Sequence, residues 1–420
     1  MKHILQELLN PFVLASVFIA VLLYSGIIHI QSRSPYTAAL EQQAVYSLNG
    51  KLCSNPVKTS NGTWYRCSVT LYSVCSENGI ESEASGKVSV FLPAEDVESL
   101  YPMKLHARLN TESMLFESGA LIQCTVRWSE NTQGFFVSGI QSVSFGKTLT
   151  DRLAYLRGKL RLSFKRLMCS WGSAGALILS LLSGSREYTD SETSHAFRNA
   201  GLSHILALSG MHLSFFSSLA GTSVGKLFGK RHLFVPRAGA IFLFVLFAGL
   251  SPSLLRALLC SLIMLVSQKV FCSRLSFLQV LSAVFLLHIV LRPDDCHEIA
   301  FILSYLSLVG ILLLSDLIQL FLVRIFPQKL ASPLAASVGA QTATGPVSLS
   351  VFGCITPVGI ISTVIVSPLI SMFLTLAIFA IIISLCFPFC AEILGSILNA
   401  CFCCIMFFVK LFAAFPAITF

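Results

Sequence analysis

The chain of 420 residues is 55% hydrophobic and 12% charged, with a mean hydropathy of +0.77. Because water-soluble domains carry about 25% charged residues, this composition excludes an ordinary soluble protein and indicates many segments in lipid. The formal net charge is +9 at pH 7, and the excess lies in residues 151–420, which contain nineteen Lys or Arg against nine Asp or Glu. Such an excess is typical of basic cytoplasmic loops, of an anionic partner, or of both.

The first apolar segment, residues 11–30, contains no Asp, Glu, Lys or Arg. At about 1.5 Å per residue, a helix of this length crosses the roughly 30 Å hydrocarbon layer. The apolar region of a cleaved signal peptide is usually about 7–15 residues and therefore shorter. We predict an N-terminal membrane anchor helix over residues 1–31.

Residues 32–146 follow a different pattern, in which short runs alternate apolar and polar side chains between turn residues. Alternation rich in Val, Thr, Tyr and Phe predicts strands, and five or six strands in a segment of this length fit a small β-barrel. Periodicity alone does not distinguish an OB barrel from another small all-β domain. The runs are 64–74, 86–93, 103–110, 120–128 and 134–145, with a hairpin turn at 60–63.

The β-domain contains four of the fourteen cysteines: Cys53, Cys67, Cys75 and Cys124. If the domain lies outside the cell membrane, where disulfides form, at least one pair among them is predicted to be oxidised. Three complete pairings exist, and sequence does not choose between them. The other ten cysteines lie in the membrane part, and we assign them to packing rather than to a metal.

Residues 147–167 combine seven Lys or Arg with regularly spaced Leu and Phe. This pattern predicts a basic amphipathic helix that lies on the membrane surface. A basic helix outside the membrane departs from the positive-inside rule, and we attribute the departure to a face directed at an anionic ligand.

Residues 168–420 consist of successive apolar blocks and are predicted to form a multi-span domain. The basic loops are 221–237, 269–274 and 324–329, and the acidic loop is 292–298. If block 168–184 does not cross, this charge pattern places the β-domain outside the cytoplasmic membrane and all three basic loops inside. Interrupted blocks, such as GLSPS at 249–253, favour a pore or transporter over plain anchors, because broken helices line cavities.

Polar side chains inside the apolar blocks indicate where a transport path runs, because such groups are costly in lipid and usually face an interior or water. Arg256 is the clearest case, since no acidic residue lies near it in sequence. Gly201 and Gly210 are predicted to allow close helix approach. The predicted path residues are Arg198, His204, Ser209, Gly210, His212, Arg256, Ser304, Tyr305 and Gln341.

Four motifs occur in one order: GLSHILALSGMH (201–212), LSPSLLRALL (250–259), EIAFILSYLSLVG (298–310) and GAQTATGPVSLSVFG (339–353), the last followed by ISTVIVSPL. Together they resemble the membrane domain of ComEC-type competence proteins, the inner-membrane channels for DNA uptake in natural transformation. The β-segment after one apolar span resembles the OB-like external domain of that family. The expected fold class is therefore a polytopic α-helical membrane protein with an inserted OB-like, extracytoplasmic all-β domain.

The resemblance implies a channel that passes single-stranded DNA inward. Its partners would be single-stranded DNA, membrane lipid, and a separate DNA receptor, nuclease and cytoplasmic motor, with a homo-oligomer also open. Aromatic residues of an OB barrel stack on bases, which makes Trp64, Tyr65, Tyr72 and Trp128 candidate DNA contacts, although such residues commonly fill the barrel core. No cofactor and no metal are expected.

Many family members continue into a metallo-β-lactamase-like domain, but this sequence has no HxHxDH run. A nuclease role is therefore not carried over, and we expect a transport channel rather than an enzyme.

Two other functional hypotheses remain open. A secondary transporter of another anionic or small solute fits the broken helices equally well, but we detect no inverted repeat of the kind expected there. An intramembrane hydrolase would use Ser209 and His212, which lie on one helix face at a spacing of three residues. A nucleophile–base pair normally also has a group that orients the histidine, and no acid is nearby in sequence.

Overall fold

A computed structural model describes residues 9–27, 35–59, 61–101, 114–208, 210–228, 234–267 and 275–419. Several sequence expectations fall at least partly outside these ranges: the two ends of the anchor 1–31, the turn beginning at Ser60, the strand at 103–110, the path residue Ser209, and the basic loops 221–237 and 269–274. The described chain divides into a mainly β segment near the N-terminus and a helical remainder.

The elements are numbered here in chain order. The strands are β1 (Thr37–Ala38), β2 (Val45–Leu52), β3 (Val57–Lys58), β4 (Trp64–Ser76), β5 (Glu81–Ser85), β6 (Lys87–Pro93), β7 (Leu121–Ser129), β8 (Gly134–Ser144), β9 (Cys354–Ile355) and β10 (Ile418–Thr419). The helices are α1 (Pro11–Tyr24), α2 (Ala94–Glu98), α3 (Leu149–Ser170), α4 (Gly172–Ser183), α5 (Ser191–Asn199), α6 (Ser203–Leu206), α7 (Gly210–Phe228), α8 (Phe234–Ala248), α9 (Pro252–Val266), α10 (Phe277–Leu291), α11 (Ile299–Leu322), α12 (Gln328–Phe352), α13 (Gly359–Cys386) and α14 (Ala391–Ala413).

Five strands of the β-domain pair in a cycle. β2 pairs with β4, β4 with β6, β6 with β8, β8 with β7, and β7 with β2 again. All of these pairings are antiparallel except β6 with β8, which is parallel. Each of the five strands therefore has a hydrogen-bonded neighbour on both sides, which satisfies the backbone groups that an edge strand would expose.

The alternation of apolar and polar residues along each strand determines which side chains fill the core of the β-domain. Successive side chains of a strand point to opposite faces, so every second residue enters the core. Tyr65, Val69, Val90 and Phe135 are each fully buried. Burying one such apolar side chain stabilises the fold by about 1.5–3 kcal/mol.

All four cysteines of the β-domain are free thiols in the structure, which therefore does not confirm the predicted disulfide. Cys124 lies opposite Leu48 of β2, and Leu48 lies opposite Val74 of β4, the residue before Cys75. Cys53 instead contacts the Thr70 hydroxyl at 2.8 Å. Burial raises the pKa of the Cys124 thiol to about 12, which leaves little reactive thiolate at neutral pH.

Helix α3 begins with a capping box: the Thr148 hydroxyl accepts from the Asp151 amide, and the Asp151 carboxylate accepts from the Thr148 amide. The helix presents its apolar stripe outward and buries part of its basic face. The exposed stripe consists of Leu149, Leu153, Leu156 and Leu160. The buried basic residues are Arg161, Lys165 and Arg166. The basic face was predicted to be directed at an anionic ligand, whereas in the structure Arg161 and Lys165 pair with acidic residues of this same chain.

Three described segments are long and apolar enough to cross a membrane: Ile299–Leu322, Gly359–Cys386 and Pro388–Ala413. Five shorter apolar helices, α1, α4, α8, α9 and α10, accompany them. Helix α4 has 12 residues and spans about 18 Å, which is too short for the roughly 30 Å hydrocarbon layer. The chain is therefore a helical membrane protein with an inserted β-rich region.

The core of the helical part forms where α4, α13 and α14 pack together around Trp171. The Trp171 indole N–H donates to the carbonyl of Ala391 at 2.8 Å, and Asn399 of α14 donates to the Trp171 carbonyl at 2.8 Å. Gly395 faces the indole so closely that an added Cβ would lie 2.6 Å from it. Tryptophan thus ties the end of α3 to the last helix, with its polar edge satisfied.

Candidate functional site

The β-domain and the membrane helices meet at a buried group of charges, which we call the joint: Glu117, Arg161, Lys165 and Glu187. The Arg161 Nε lies 2.9 Å from a Glu117 carboxylate oxygen, and the Lys165 ammonium lies 3.5 Å from Glu117 and 2.9 Å from Glu187. Arg161 also donates to the carbonyl of Phe247, at the end of α8. One arginine therefore connects the β-domain, helix α3 and a helix C-terminus, where a cation is favoured by the helix dipole.

Electrostatics keep the Glu117 carboxylate of the joint ionised. Burial alone would raise the pKa of Glu117, but the charges of Arg161, Lys165 and Arg157 outweigh it and hold the pKa below its ordinary value of 4.5. A carboxylate with a lowered folded-state pKa stabilises the fold above its ordinary value, and this contribution is lost only as the pH falls through the lower folded value. The ion pairs of Glu117 with Arg161 and Lys165 should therefore persist at mildly acidic pH.

Arg256 on α9 lies among three helices. It is 6% exposed, it donates to the backbone carbonyl of Ser304 on α11, and its guanidinium lies 5.9 Å from the centre of the Tyr305 ring. A Cβ added to Gly210 of α7 would lie 3.5 Å from the guanidinium, an ordinary van der Waals distance, so Gly210 lies directly beside Arg256. The structure thus brings together four predicted path residues: Gly210, Arg256, Ser304 and Tyr305. None of the ion pairs in the described part of the chain includes Arg256.

A chain of buried polar groups continues from Tyr305. The Tyr305 hydroxyl lies 3.1 Å from His288 Nδ1, and His288 Nε2 lies 3.1 Å from a carboxylate oxygen of Asp295. His288 is completely buried, and Asp295 is 5% exposed. If Nε2–H donates to the carboxylate, Nδ1 accepts from the tyrosine. His288 was not among the predicted path residues, because its partners are 7 and 17 residues away in sequence.

His288→Gln should lower the free energy of unfolding by about 1–3 kcal/mol, because one amide cannot replace both bonds and a buried partner is left unsatisfied. The measurement is thermal unfolding of the protein in lipid nanodiscs. His297→Gln, at an exposed histidine of the adjoining turn, is the matched control and should melt with the wild type. Identical melting of both variants would show that the network contributes nothing to stability.

A second close approach involves Gly201 and Gly359, at the start of α13. Gly201 has a positive φ of 73°, and a Cβ there would lie 2.6 Å from the Gly359 Cα. The Gln341 side-chain amide donates to the Thr356 carbonyl at 3.4 Å beside them. Gln341 therefore holds the turn before α13 rather than lying beside Arg256.

The remaining predicted path residues are dispersed. Arg198 is exposed on α5, and His204 lies on the short helix α6. His212 is fully buried on α7. Ser209, the proposed hydrolase partner of His212, lies outside the described residues.

The four predicted aromatic contacts of the β-domain differ in exposure. Tyr65 is fully buried, with its hydroxyl donating to Glu98 at 2.7 Å, and thus fills the core. Tyr72 is 49% exposed, while Trp64 and Trp128 are half-buried. Trp128 packs edge-on against Phe135 at 4.9 Å between ring centres, and Trp64 packs in the same way against Phe136.

One row of side chains crosses the outer surface of four paired strands, and we call it the outer row. The register places Arg127 opposite Phe136, Phe136 opposite Phe91, and Phe91 opposite Arg66. The neighbours of these residues along each strand point into the core, so the row lies on the outer face, where Phe136 is half-buried and Phe91 is 9% exposed. The two phenylalanine rings stack at 4.5 Å, and both arginines are exposed. The four residues of the row were not among the predicted DNA contacts, because strand register rather than sequence spacing brings them together.

Among the described residues no group of three or more His, Cys, Asp or Glu side chains is arranged to hold a metal ion. The profile of the competence protein family matches residues 181–420, which is more than half of the chain. No curated protein and no solved structure matches the chain. The matched region contains all four motifs on which the resemblance was based, and the chain belongs to the ComEC-type competence protein family.

Proposed function

We propose that this protein is an inner-membrane channel that takes up single-stranded DNA during natural transformation. Family membership indicates a role in DNA uptake. The observation that carries the finer proposal is the outer row, in which two exposed arginines flank a pair of stacked phenylalanine rings. Cationic side chains next to aromatic rings are the combination that binds single strands without sequence preference.

The strand pairing supports an OB-like barrel for the β-domain. Taking β2, β4, β6, β7 and β8 as strands one to five, the pairings run in the order 1-2-3-5-4-1, with strands three and five parallel. OB barrels bind oligonucleotides across the face of strands two and three. In this protein that face contains Arg66, Phe91 and Lys87, which belong to β4 and β6.

The proposed location is the cytoplasmic membrane, with the β-domain outside. The acidic turn 292–298 adjoins the β-domain side of the molecule, because Arg66 and Lys87 are close enough to Glu298 to act on its pKa. This arrangement fits the topology predicted from the loop charges. Uptake would also need a DNA receptor, a nuclease and a cytoplasmic motor from other chains, and a homo-oligomer is compatible with the exposed apolar helix faces.

Phe136→Ala should weaken the binding of a fluorescent oligothymidylate to the full-length protein in nanodiscs by about five-fold or more. The reason is that stacking on one aromatic ring contributes about 1–3 kcal/mol per base. Arg127→Gln should weaken binding less and should also reduce its salt dependence. Fluorescence anisotropy at several salt concentrations measures both effects, and entry of labelled DNA into cells tests their consequence.

Tyr46→Ala is the matched control, because Tyr46 is an aromatic residue of β2 that is 49% exposed but lies off the outer row. It should bind the oligonucleotide as the wild type does. If Tyr46→Ala and Phe136→Ala behave alike, the outer row is not the binding face. If the wild-type protein binds no single-stranded DNA at all, the proposed function fails.

A further inference from the structure

Three cations from three different elements surround the place where the β-domain meets the outer ends of the membrane helices. They are Lys87 of β6, Arg157 of α3 and Arg292, which follows α10. We call this group the basic mouth. Two turns lie between them, Gly249–Ser251 before α9 and Arg292–Glu298 before α11.

Arg157 is the inner member of the basic mouth. Its Nη2 donates to the Asn55 side-chain oxygen at 3.4 Å, and a Cβ added to Gly249 would lie 3.5 Å from the same nitrogen. Gly249 has a positive φ of 96°, which lets the backbone turn beside the guanidinium. The Arg157 Nε is buried without a hydrogen-bond partner in the described part of the protein. This guanidinium thus has a donor to spare.

Charge adds to the geometry at Arg157. Burial and the neighbouring charge of Arg161 both lower its pKa, with only partial compensation from Glu117. A buried cation with an unused N–H donor is stabilised by an anion, and the planar fork of arginine suits the oxygens of a phosphate.

Arg292 connects the two turns. It is partly exposed, its Nη1 donates to the Leu250 carbonyl at 3.2 Å, and the same nitrogen lies 3.6 Å from Asp295. Because Leu250 follows Gly249 directly, Arg292 and Arg157 lie beside adjacent residues of the turn Gly249–Ser251. The Arg292 guanidinium has further N–H donors besides the one bonded to Leu250.

Glu298 connects the basic mouth with the outer row. Desolvation and then the neighbouring Asp295 raise the pKa of Glu298, while Arg292, Arg66 and Lys87 oppose the rise. Arg66 belongs to the outer row, and Lys87 lies four residues from Phe91 on the same outward face of β6. One carboxylate is therefore within electrostatic reach of cations on both sides of the boundary.

We propose that Lys87, Arg157 and Arg292 receive the phosphodiester backbone of single-stranded DNA as it passes from the outer row to the membrane helices. Glu298 occupies the position of a competing anion at this site, and the incoming backbone takes over its cations. This inference rests on the proposed function, because it names the residues through which the same substrate enters. It also assigns a role to the Glu298 carboxylate, whose negative charge would otherwise only repel DNA.

The test measures binding of the oligothymidylate to the full-length protein in nanodiscs as a function of salt. One phosphate neutralised on a single strand contributes a slope of about −0.7 to the plot of log affinity against log salt. Lys87→Gln should therefore weaken binding about four-fold at 0.15 M salt and reduce the slope by about 0.7. Glu298→Gln should strengthen binding to a similar extent, a gain that misfolding does not produce.

Lys159→Gln is the matched control, because it removes one exposed lysine from the outward side of α3, two residues after Arg157. It should leave affinity and slope unchanged. If the wild type binds but Lys87→Gln and Glu298→Gln both match the Lys159→Gln control, the basic mouth is wrong and the outer row stands alone. If Phe136→Ala also has no effect, or the wild type does not bind, the failure lies with the proposed function instead.

Discussion

Glu117→Gln is expected to lower the free energy of unfolding by about 3–5 kcal/mol, because removing one partner of a buried ion pair leaves the other charge uncompensated. Glu117 is 3% exposed and pairs with both Arg161 and Lys165. The loss should appear as earlier thermal melting of the protein in nanodiscs. It should also appear as faster proteolysis between the β-domain and α3, since this ion pair holds the two together.

The chain offers a matched control in a second Glu–Lys ion pair. Glu192 and Lys410 lie 2.7 Å apart, but their side chains are 77% and 57% exposed. Because water screens such a pair, Glu192→Gln should cost far less stability than Glu117→Gln. Equal losses from Glu117→Gln and Glu192→Gln would mean that burial of the joint has no energetic consequence.

Arg256→Gln is expected to reduce entry of labelled DNA at least about ten-fold, with little change in the abundance of the protein in the membrane. The guanidinium holds the Ser304 carbonyl and lies over Tyr305, so it sets how α9 and α11 meet beside Gly210. A lost charge-assisted hydrogen bond is worth about 1.5–3 kcal/mol, and glutamine does not span the same distance. Arg256→Lys should keep part of the activity, because the charge remains while the planar fork is lost.

Arg324→Gln controls for the loss of one arginine from the membrane part, since Arg324 is exposed just beyond α11. Its DNA entry should equal that of the wild type. Normal transport by Arg256→Gln would remove Arg256 from the path, and disappearance of that variant from the membrane would make the residue purely structural. The structure changes the interpretation of this residue: it is buried and bonded to a backbone carbonyl, not a free cation lining water.

The family resemblance was predicted from local motifs, and the profile match over residues 181–420 confirms it. That the chain is a membrane protein could equally be predicted from the sequence, because hydropathy is a sum over neighbouring residues and depends on no tertiary contact. The strands of the β-domain were also predictable, since alternation fixes which side chains share a face. For the same reason runs 64–74 and 134–145 became β4 and β8 with bounds close to those expected.

The disulfide was predicted from the number of cysteines and the expected oxidising compartment, neither of which gives the positions of the cysteines in the fold. In the structure the four cysteines are free thiols, and strand register decides which residues lie opposite them. The same limit applies to the outer row, because Arg66 and Arg127 are 61 positions apart in sequence and meet the same pair of rings only through the pairing of four strands.

Composition and periodicity were sufficient to identify a membrane protein with an inserted β-segment, because both are local properties that reflect the solvent around each segment. The direction in which α3 faces depends instead on tertiary contacts. Its leucines and its basic residues both form coherent stripes, and the choice depends on Glu117 and Glu187, which are supplied from elsewhere in the chain. His288 and Arg256 follow the same rule: a buried polar group is defined by its partners, and those partners are distant in sequence.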